Sequence, residues 1–342
     1  MKVLEIRGQT GTSRVLIGER IGNLASHLPG GRAVFITDAN VRRLYPSVFS
    51  GAPTIELPAG EEAKSLESVS FIYGKLLEIG ADRSTFVVGV GGGVVSDLTG
   101  FAASTFLRGL GFGYAATTVL AQVDASVGGK TGVNFGGYKN MVGVFQQPRF
   151  VVCDPGVLST LPRREVLSGM AEVVKHAAIG SPELFAALES RPRDALDLRE
   201  DFLEDVIYRS VAIKAAVVGR DEKEADERRV LNFGHTLGHA FEARLGLSHG
   251  EAVSLGMVLA ADLSVRRGLL PAGDAARVRG LLASLGLPTS APFDRDAILD
   301  AVRKDKKRAG GGIKFVFLKG IGEPAVEDIP LEELEGYIHD LR

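Results

Sequence analysis

Cysteine is almost missing from this chain. Cys153 is the only one in 342 residues, which excludes a disulfide framework and any metal site built from cysteine alone. An excess of either charge is missing too: 40 Lys and Arg against 42 Asp and Glu leave a formal net charge of −2. Without a basic excess, neither a nucleic-acid binder nor a membrane-surface protein is expected. No apolar run reaches membrane-spanning length, since VSLGMVLAADLSV is broken by Asp262. The opening MKVLEIRGQTGTSR carries charge where a signal peptide needs an apolar core, so a cytoplasmic location is expected. Internal repeats and low-complexity tracts are lacking as well. What is present, 45% hydrophobic and 24% charged residues, is ordinary for a globular protein, and the length suits two domains.

The two halves differ in texture. Short β-branched runs (RAVFIT, STFVVGV, FGYAATTV, RFVVCD) alternate with helical stretches such as SLESVSFIYGKLLEIG, a pattern that implies a parallel sheet with both faces covered. From about Pro162 onward, segments such as LPRREVLSGMAEVVKHAAI, HTLGHAFEARLG and GEAVSLGMVLAADLSVRRG carry apolar residues at helical spacing. GGIKFVFLK is a brief strand-like run before a last helix, LEELEGYIHDL. The expected organisation is a Rossmann-like α/β domain over residues 1–155 and a mainly α-helical domain over 156–342.

Three of the six histidines fall between Arg228 and Glu251, in RRVLNFGHTLGHAFEARLGLSHGE. His235 and His239 are four apart at helical spacing and share a face; His249 follows a short glycine-containing turn that lets the chain fold back. Neutral imidazole is the commonest ligand for a zinc-class ion, and a catalytic zinc site takes three protein ligands and keeps one position open. Spacing alone pairs His235 with His239. This is not a zinc-protease helix, because Thr236 stands where that motif needs Glu.

STFVVGVGGGVVSDLTGFAA reads as strand, glycine turn and helix, an arrangement that lets backbone amides approach phosphate at a helix N-terminus. As a dinucleotide fingerprint it is imperfect, with Val94 or Ser96 at the third glycine position and no suitably spaced acid downstream. Asp38 and Asn40 at the end of a strand, with Glu61 and Lys64 in AGEEAKS, can supply those contacts instead. SVGGKTG ends like a P-loop, but Asp124 occupies the required earlier glycine position, which argues against an ATPase or GTPase.

Cations are scattered through otherwise apolar or glycine-rich stretches: Lys130, Lys139 and Asn140 in GGKTGVNFGGYKN, which reads as a loop; Lys175 on one helical face with Glu172; Lys214 in VAIKAAVV; Arg228 one turn before Asn232; and Lys306 and Lys307 in KDKKRAGG. Several half-buried cations in a neutral chain suggest a small polyanionic substrate such as a sugar acid phosphate.

GGGVVSDLTGFAASTFLRG, ATTVLAQVDASVGGKTGVN, KNMVGVFQQP, LPRREVLSGMAEVVKHA, LNFGHTLGHAFE, HGEAV and DKK stand in an order that resembles the 3-dehydroquinate synthase family over nearly the whole chain. The resemblance implies a homodimeric cytoplasmic enzyme of the sugar phosphate cyclase superfamily, using NAD and a divalent zinc or cobalt ion. Its reaction converts 3-deoxy-D-arabino-heptulosonate 7-phosphate to 3-dehydroquinate and phosphate, in the shikimate pathway of aromatic amino acid biosynthesis. It makes the first domain NAD-binding and the second metal- and substrate-binding.

By the same resemblance the metal ligands are Glu172, His235 and His249, leaving His239 to contact substrate. NAD contacts are implied for Asp38, Asn40, Glu61, Lys64, Gly92, Gly93, Val94, Val95, Asp97, Thr117, Thr118, Lys130, Lys139, Val157, Leu158, Ser159 and Thr160. Asp124, Lys130, Asn140, Lys175, Lys214, Arg228, Asn232, His239 and one of Lys306 and Lys307 are implied to hold substrate, and Arg108 to reach into a neighbouring subunit. Ser96 and Tyr138 stand where the family commonly has Gly, and His176 where it commonly has Tyr. The alternatives are a cyclase acting on a sugar phosphate without a carboxylate, a metal-dependent polyol dehydrogenase, which would reduce NAD stoichiometrically and would not need the cations of GGKTGVN and GYKN, and a non-catalytic nucleotide sensor, against which the intact Glu172, His235 and His249 argue.

Overall fold

The computed structural model describes residues 1–309 and 313–340, with the side chains of 304–309 outside the description; Lys306 and Lys307 are among these. The described chain divides into two compact units, Met1–Leu161 with Leu203–Lys223, and Pro162–Phe202 with Glu224–Arg342.

The first unit is built on a seven-stranded sheet. Its strands are β1 (Lys2–Gly8), β2 (Gly11–Ile17), β3 (Ala33–Asp38), β4 (Thr54–Leu57), β5 (Phe86–Gly91), β6 (Gly111–Ala116) and, after an intervening hairpin, β9 (Phe150–Cys153), in the spatial order β1-β2-β9-β6-β5-β3-β4. Only β1 and β2 pair antiparallel; the other neighbours are parallel. Every residue of β5 is buried, as a central strand covered on both faces requires. The helices α1 (Ala39–Leu44), α2 (Leu66–Glu78) and α3 (Gly93–Thr105) form the crossovers. From β3 the chain steps outward to β4, whereas from β5 it steps the other way to β6. The direction of winding therefore reverses between β3 and β5, and the crevice at the carboxyl ends of such strands is where open α/β sheets bind ligands.

Two sequence expectations are corrected in this unit. GGKTGVNFGGYKN is a β-hairpin, not a loop: β7 (Lys130–Phe135) pairs antiparallel with β8 (Tyr138–Phe145), turning on Gly136 and Gly137, both at positive φ. The segment Leu203–Lys223, assigned from sequence to the helical domain, clusters with the sheet unit. It carries most of the helix α7 (Glu200–Arg220), and Lys2 Nζ reaches Asp205 at 3.1 Å, Lys214 pairs with Asp124, and Gln147 Nε2 donates to Glu222 at 2.8 Å.

The second unit contains α4 (Arg163–Gly180), the short α5 (Pro182–Ser190) and α6 (Pro192–Leu196), then α8 (His235–Leu245), α9 (His249–Arg266), α10 (Ala272–Ser284), α11 (Arg295–Ala309) and α12 (Leu331–Asp340), with a hairpin of β10 (Ile313–Gly320) and β11 (Glu323–Ile329). In α4 nearly every residue from Val166 to Ile179 is buried, Glu172, Lys175 and His176 included. Helices α8 and α9 cross closely because glycine lines the crossing: a methyl group at Gly256 would overlap the Gly234 carbonyl. Ser248 caps α9 in a reciprocal pair with Glu251, accepting from the Glu251 amide at 3.4 Å while the Glu251 carboxylate accepts from the Ser248 amide at 2.8 Å. The cap fixes where α9 begins, and so where His249 stands. Among the described residues no helix is long and apolar enough to cross a membrane.

Candidate active site

In the helical unit, one carboxylate and two imidazoles converge. Glu172 is fully buried mid-way along α4. Its Oε1 lies 3.5 Å from His235 Nε2 and 3.3 Å from His249 Nε2, and the two rings are 5.5 Å apart between centroids. The potential ligand atoms of the three residues all lie within 4.8 Å of one another. The remaining ring nitrogens are oriented from behind. His235 Nδ1 is 3.2 Å from the Phe233 carbonyl, so it acts as donor, and His249 Nδ1 is 3.6 Å from Glu242 Oε2. Both Nε2 atoms are thereby turned toward Glu172, the arrangement that ligating histidines adopt. Two imidazole nitrogens and a carboxylate oxygen could hold a zinc-class divalent ion and leave a coordination position open.

His239, which spacing alone paired with His235, lies outside this group. It is exposed on α8, with its ring edge-on to His235 at 5.3 Å. Neighbouring positions on a helical face are reached by one carboxylate from another helix only where the backbone geometry allows, and Glu172 meets His235 and His249 instead.

Electrostatics match this geometry. Burial alone would raise the Glu172 carboxyl, but the Lys175 ammonium paired with it, with His235 and His249, holds it well below the usual carboxylate range. Burial, then Lys175, pushes His235 down to about 3, leaving a neutral ring. Burial opposes the charged form of His249, but its hydrogen bond with Glu172 and the Glu242 carboxylate beside it lift it to about 9. In the same unit Arg228 is almost wholly buried, and Asn232 Nδ2 donates to Glu224 Oε1 at 2.6 Å.

In the sheet unit the residues expected around a nucleotide gather at the carboxyl ends of β3 and β5. Asp38 closes β3, and its Oδ1 accepts from the amides of Asn40 and Val41 at 2.8 and 3.0 Å, capping α1. The glycine turn delivers the N-terminus of α3: Gly92 is its cap with no side-chain hydrogen bond, followed by Gly93, Val94 and Val95, which leaves the first-turn amides of α3 uncapped by any side chain. Thr117 and Thr118 follow β6, and Thr118 Oγ1 accepts from the Ala121 amide at 3.0 Å. Lys64 is buried, pairs with Asp97 and donates to Asn140 Oδ1 at 2.5 Å. Burial raises the Asp97 carboxyl, opposed by Lys64. Val157 and Leu158 are buried and Ser159 and Thr160 exposed. Lys130 and Lys139 are exposed on the hairpin, where Asn140 adopts a left-handed φ of 52°. Lys214 on α7 donates to the Asp124 carbonyl at 2.7 Å and pairs with its carboxylate. Arg108 is exposed on a turn in which it and Leu107 both have positive φ, 69° and 50°.

Three participants escaped the sequence reading. Glu242 faces His249, and its place two helical turns after His235 could have revealed it. Asn134 donates to Glu61 Oε1 at 2.9 Å and accepts from the Asn140 amide at 2.9 Å, locking the hairpin to the Glu61–Lys64 segment; its presence in GVNFGG was the available signal. Tyr45 donates to the Val157 carbonyl at 3.0 Å and meets Thr160 Oγ1 at 2.9 Å, and no local pattern announces it.

Comparison with known proteins agrees along almost the entire chain. Residues 54–168 match the family model for the 3-dehydroquinate synthase N-terminal region, and 169–308 match that for the C-terminal region. A 3-dehydroquinate synthase from Dehalococcoides mccartyi is 43% identical over 324 residues, covering 92% of this chain and 90% of the relative. The crystal structure of 2-deoxy-scyllo-inosose synthase complexed with carbaglucose-6-phosphate, NAD+ and Co2+ superposes with a TM-score of 0.87 at 28% identity, over 98% of this chain and 99% of that one. That of 2-epi-5-epi-valiolone synthase from Streptomyces hygroscopicus subsp. jinggangensis, with NAD+ and Zn2+ bound, gives 0.89 at 29% identity, over 99% and 98%. Both are sugar phosphate cyclases, and this chain shares their fold over almost its whole length. Within the class, the chain belongs to the 3-dehydroquinate synthase family.

Proposed function

We propose that this enzyme converts 3-deoxy-D-arabino-heptulosonate 7-phosphate to 3-dehydroquinate and phosphate, with NAD and a divalent zinc or cobalt ion as cofactors. The observation that carries the reading is the convergence of Glu172, His235 and His249 in a chain 43% identical to a 3-dehydroquinate synthase. When bound, NAD supplies reversible hydride transfer and the ion polarises adjacent substrate hydroxyls.

The chain's own residues bind, orient and hold charge. Glu172, His235 and His249 are the ligands, with Phe233 and Glu242 fixing the ring orientations and Lys175 keeping Glu172 ionised. The uncapped amides of α3 at Gly92–Val95 suit the pyrophosphate of the nucleotide, and Asp38, Asn40, Glu61, Lys64, Asp97, Thr117, Thr118, Lys139 and the Val157–Thr160 segment surround it. Lys130 and Asn140 receive the substrate phosphate. Lys64 holds Asn140 by its side-chain oxygen Oδ1, which aligns the side-chain nitrogen Nδ2 as the donor to a phosphate oxygen. Lys214, steadied by Asp124, and Arg228 take the carboxylate, with Asn232 and His239 as further donors. Most of the rate enhancement on this account comes from positioning and charge stabilisation. The departing phosphate carries oxygens that would accept the proton given up in its elimination, so no dedicated protein base is assigned to that step.

The sheet unit is read as the nucleotide-binding domain and the helical unit as the metal-binding domain. A cytoplasmic homodimer fits the exposed Phe135, Tyr138 and Met141 on the hairpin and the exposed Leu107 beside Arg108.

The substrate assignment is tested by comparing the heptulosonate phosphate with a sugar phosphate lacking the carboxylate. Arg228 offers a planar fork suited to a carboxylate. Arg228→Ala should lose efficiency on the acid by about 2–5 kcal/mol in transition-state binding. The unaltered enzyme should lose as much on the substrate without a carboxylate, with little further loss in the variant. Equal turnover of both substrates by the unaltered enzyme would sink the assignment.

A further inference from the structure

A buried carboxylate that has no part in the candidate site lies at the base of the β7–β8 hairpin. Glu222 follows the end of α7 and is only 4% exposed. It accepts from the Thr10 amide at 3.1 Å, from Thr10 Oγ1 at 2.6 Å and from Gln147 Nε2 at 2.8 Å. Burial alone would raise its carboxyl, but these hydrogen bonds from Thr10 and Gln147 hold it below the usual carboxylate range. It is therefore an anionic acceptor, and charge-assisted bonds of this kind are shorter and about twice as strong as neutral ones.

What Glu222 holds is the base of the hairpin. Phe145, the last residue of β8, pairs with Lys130, the first of β7, and Gln146 and Gln147 follow at once. Gln146 donates from its backbone to the Gly129 carbonyl at 2.8 Å and from its side chain to the Thr10 carbonyl at 2.7 Å. Gln147 lies flat against Gly129: a Cβ there would come within 3.1 Å of Gln147 Nε2, and the Gly129 φ of 73° disfavours any side chain. Gly129 is the residue before Lys130. One segment of chain thus holds both ends of 124–130, through Lys214 on Asp124 and through Glu222 on Gln147, whose amide lies against Gly129.

We propose that Glu222 is a positioning residue that fixes the base of the hairpin, and through it Lys130, for contact with the substrate phosphate. The inference rests on the assignment of Lys130 to phosphate given above. Glu222→Gln keeps the size of the side chain and removes the charge on which the donors converge.

The test is a double-mutant cycle on inhibition by inorganic phosphate, with KM and kcat for the heptulosonate phosphate, using the unaltered enzyme, Glu222→Gln, Lys130→Ala and the double variant. Glu222→Gln should weaken phosphate inhibition and raise KM by about tenfold, since small misplacement of a binding group costs rate and affinity on that order. Metal content should stay at the level of the unaltered enzyme, and the substitution should add little on the Lys130→Ala background. Gln147→Met, which deletes one donor without burying a charge, should move phosphate inhibition the same way. Lys130→Ala weakening phosphate while Glu222→Gln and Gln147→Met do not would overturn the positioning role and leave the function standing; so would an undiminished tenfold effect on the Lys130→Ala background. Phosphate inhibition unchanged in Lys130→Ala would overturn the assignment of Lys130 itself, and the inference with it.

Discussion

His249 holds its Nε2 3.3 Å from Oε1 of Glu172 across 77 residues of sequence. The contact exists because Ser248 caps α9 at that residue, while Glu172 is presented from the middle of a buried helix. A carboxylate and imidazoles held this way form a ligand set before any ion arrives. Removing His249 should therefore empty the site, whereas removing His239 should not. His249→Ala should lose bound zinc or cobalt on gel filtration, and His239→Ala should keep metal near the level of the unaltered enzyme while turning over more slowly. Equal loss in both variants, measured by elemental analysis, would return the ligand set to the His235–His239 pair. Chelation should abolish activity, and added zinc or cobalt should restore it.

Glu242 gives a finer test of the same site. Its carboxylate lies 3.6 Å from His249 Nδ1 and steers the opposite nitrogen toward Glu172. Glu242→Gln retains shape but weakens that steering, and loss of such a partner commonly costs about 10–100-fold in metal affinity. Competition against a calibrated chelator measures this directly. An unchanged affinity would show that the ring is oriented by packing alone.

The sequence exposed the parts of this arrangement that are local. His235 and His249 declare themselves because they are close in the chain and one sits at helical spacing in HTLGHAFEARLG. The glycine turn after β5 is equally visible, since strand, glycines and helix are contiguous. Glu172 is different: from spacing it is one acid on a helix with Lys175, and only the family resemblance links it to histidines more than sixty residues later. The contact of Lys214 with Asp124 spans 90 residues and decides that the Leu203–Lys223 segment belongs with the sheet, which a helical periodicity cannot reveal. The hairpin Lys130–Phe145 was hidden for a further reason. Its glycines at 132, 136, 137 and 143 suppress the β-branched signal by which strands are read, although backbone pairing forms the ladder regardless.

The crossing of α8 and α9 yields a stability prediction. Gly256 sits where a side chain would meet the Gly234 carbonyl, one residue before the start of the histidine helix. Alanine would gain about 1 kcal/mol in helix propensity, but it meets backbone that cannot rotate away. Overpacking of this kind costs about 1–3 kcal/mol, and more where backbone must shift. Gly256→Ala should unfold at lower temperature and retain less metal. A thermal midpoint at or above that of the unaltered protein would show that the crossing tolerates a methyl group.

On the proposed function NAD is a catalyst, oxidising and then reducing one substrate, and not a consumed oxidant. The most direct test is to supply the heptulosonate phosphate with NAD far below the substrate concentration and follow released phosphate and NADH absorbance together. The account predicts many phosphates released per NAD with no net accumulation of NADH. NADH formed in proportion to substrate consumed, with phosphate retained, would contradict it and point to a polyol dehydrogenase.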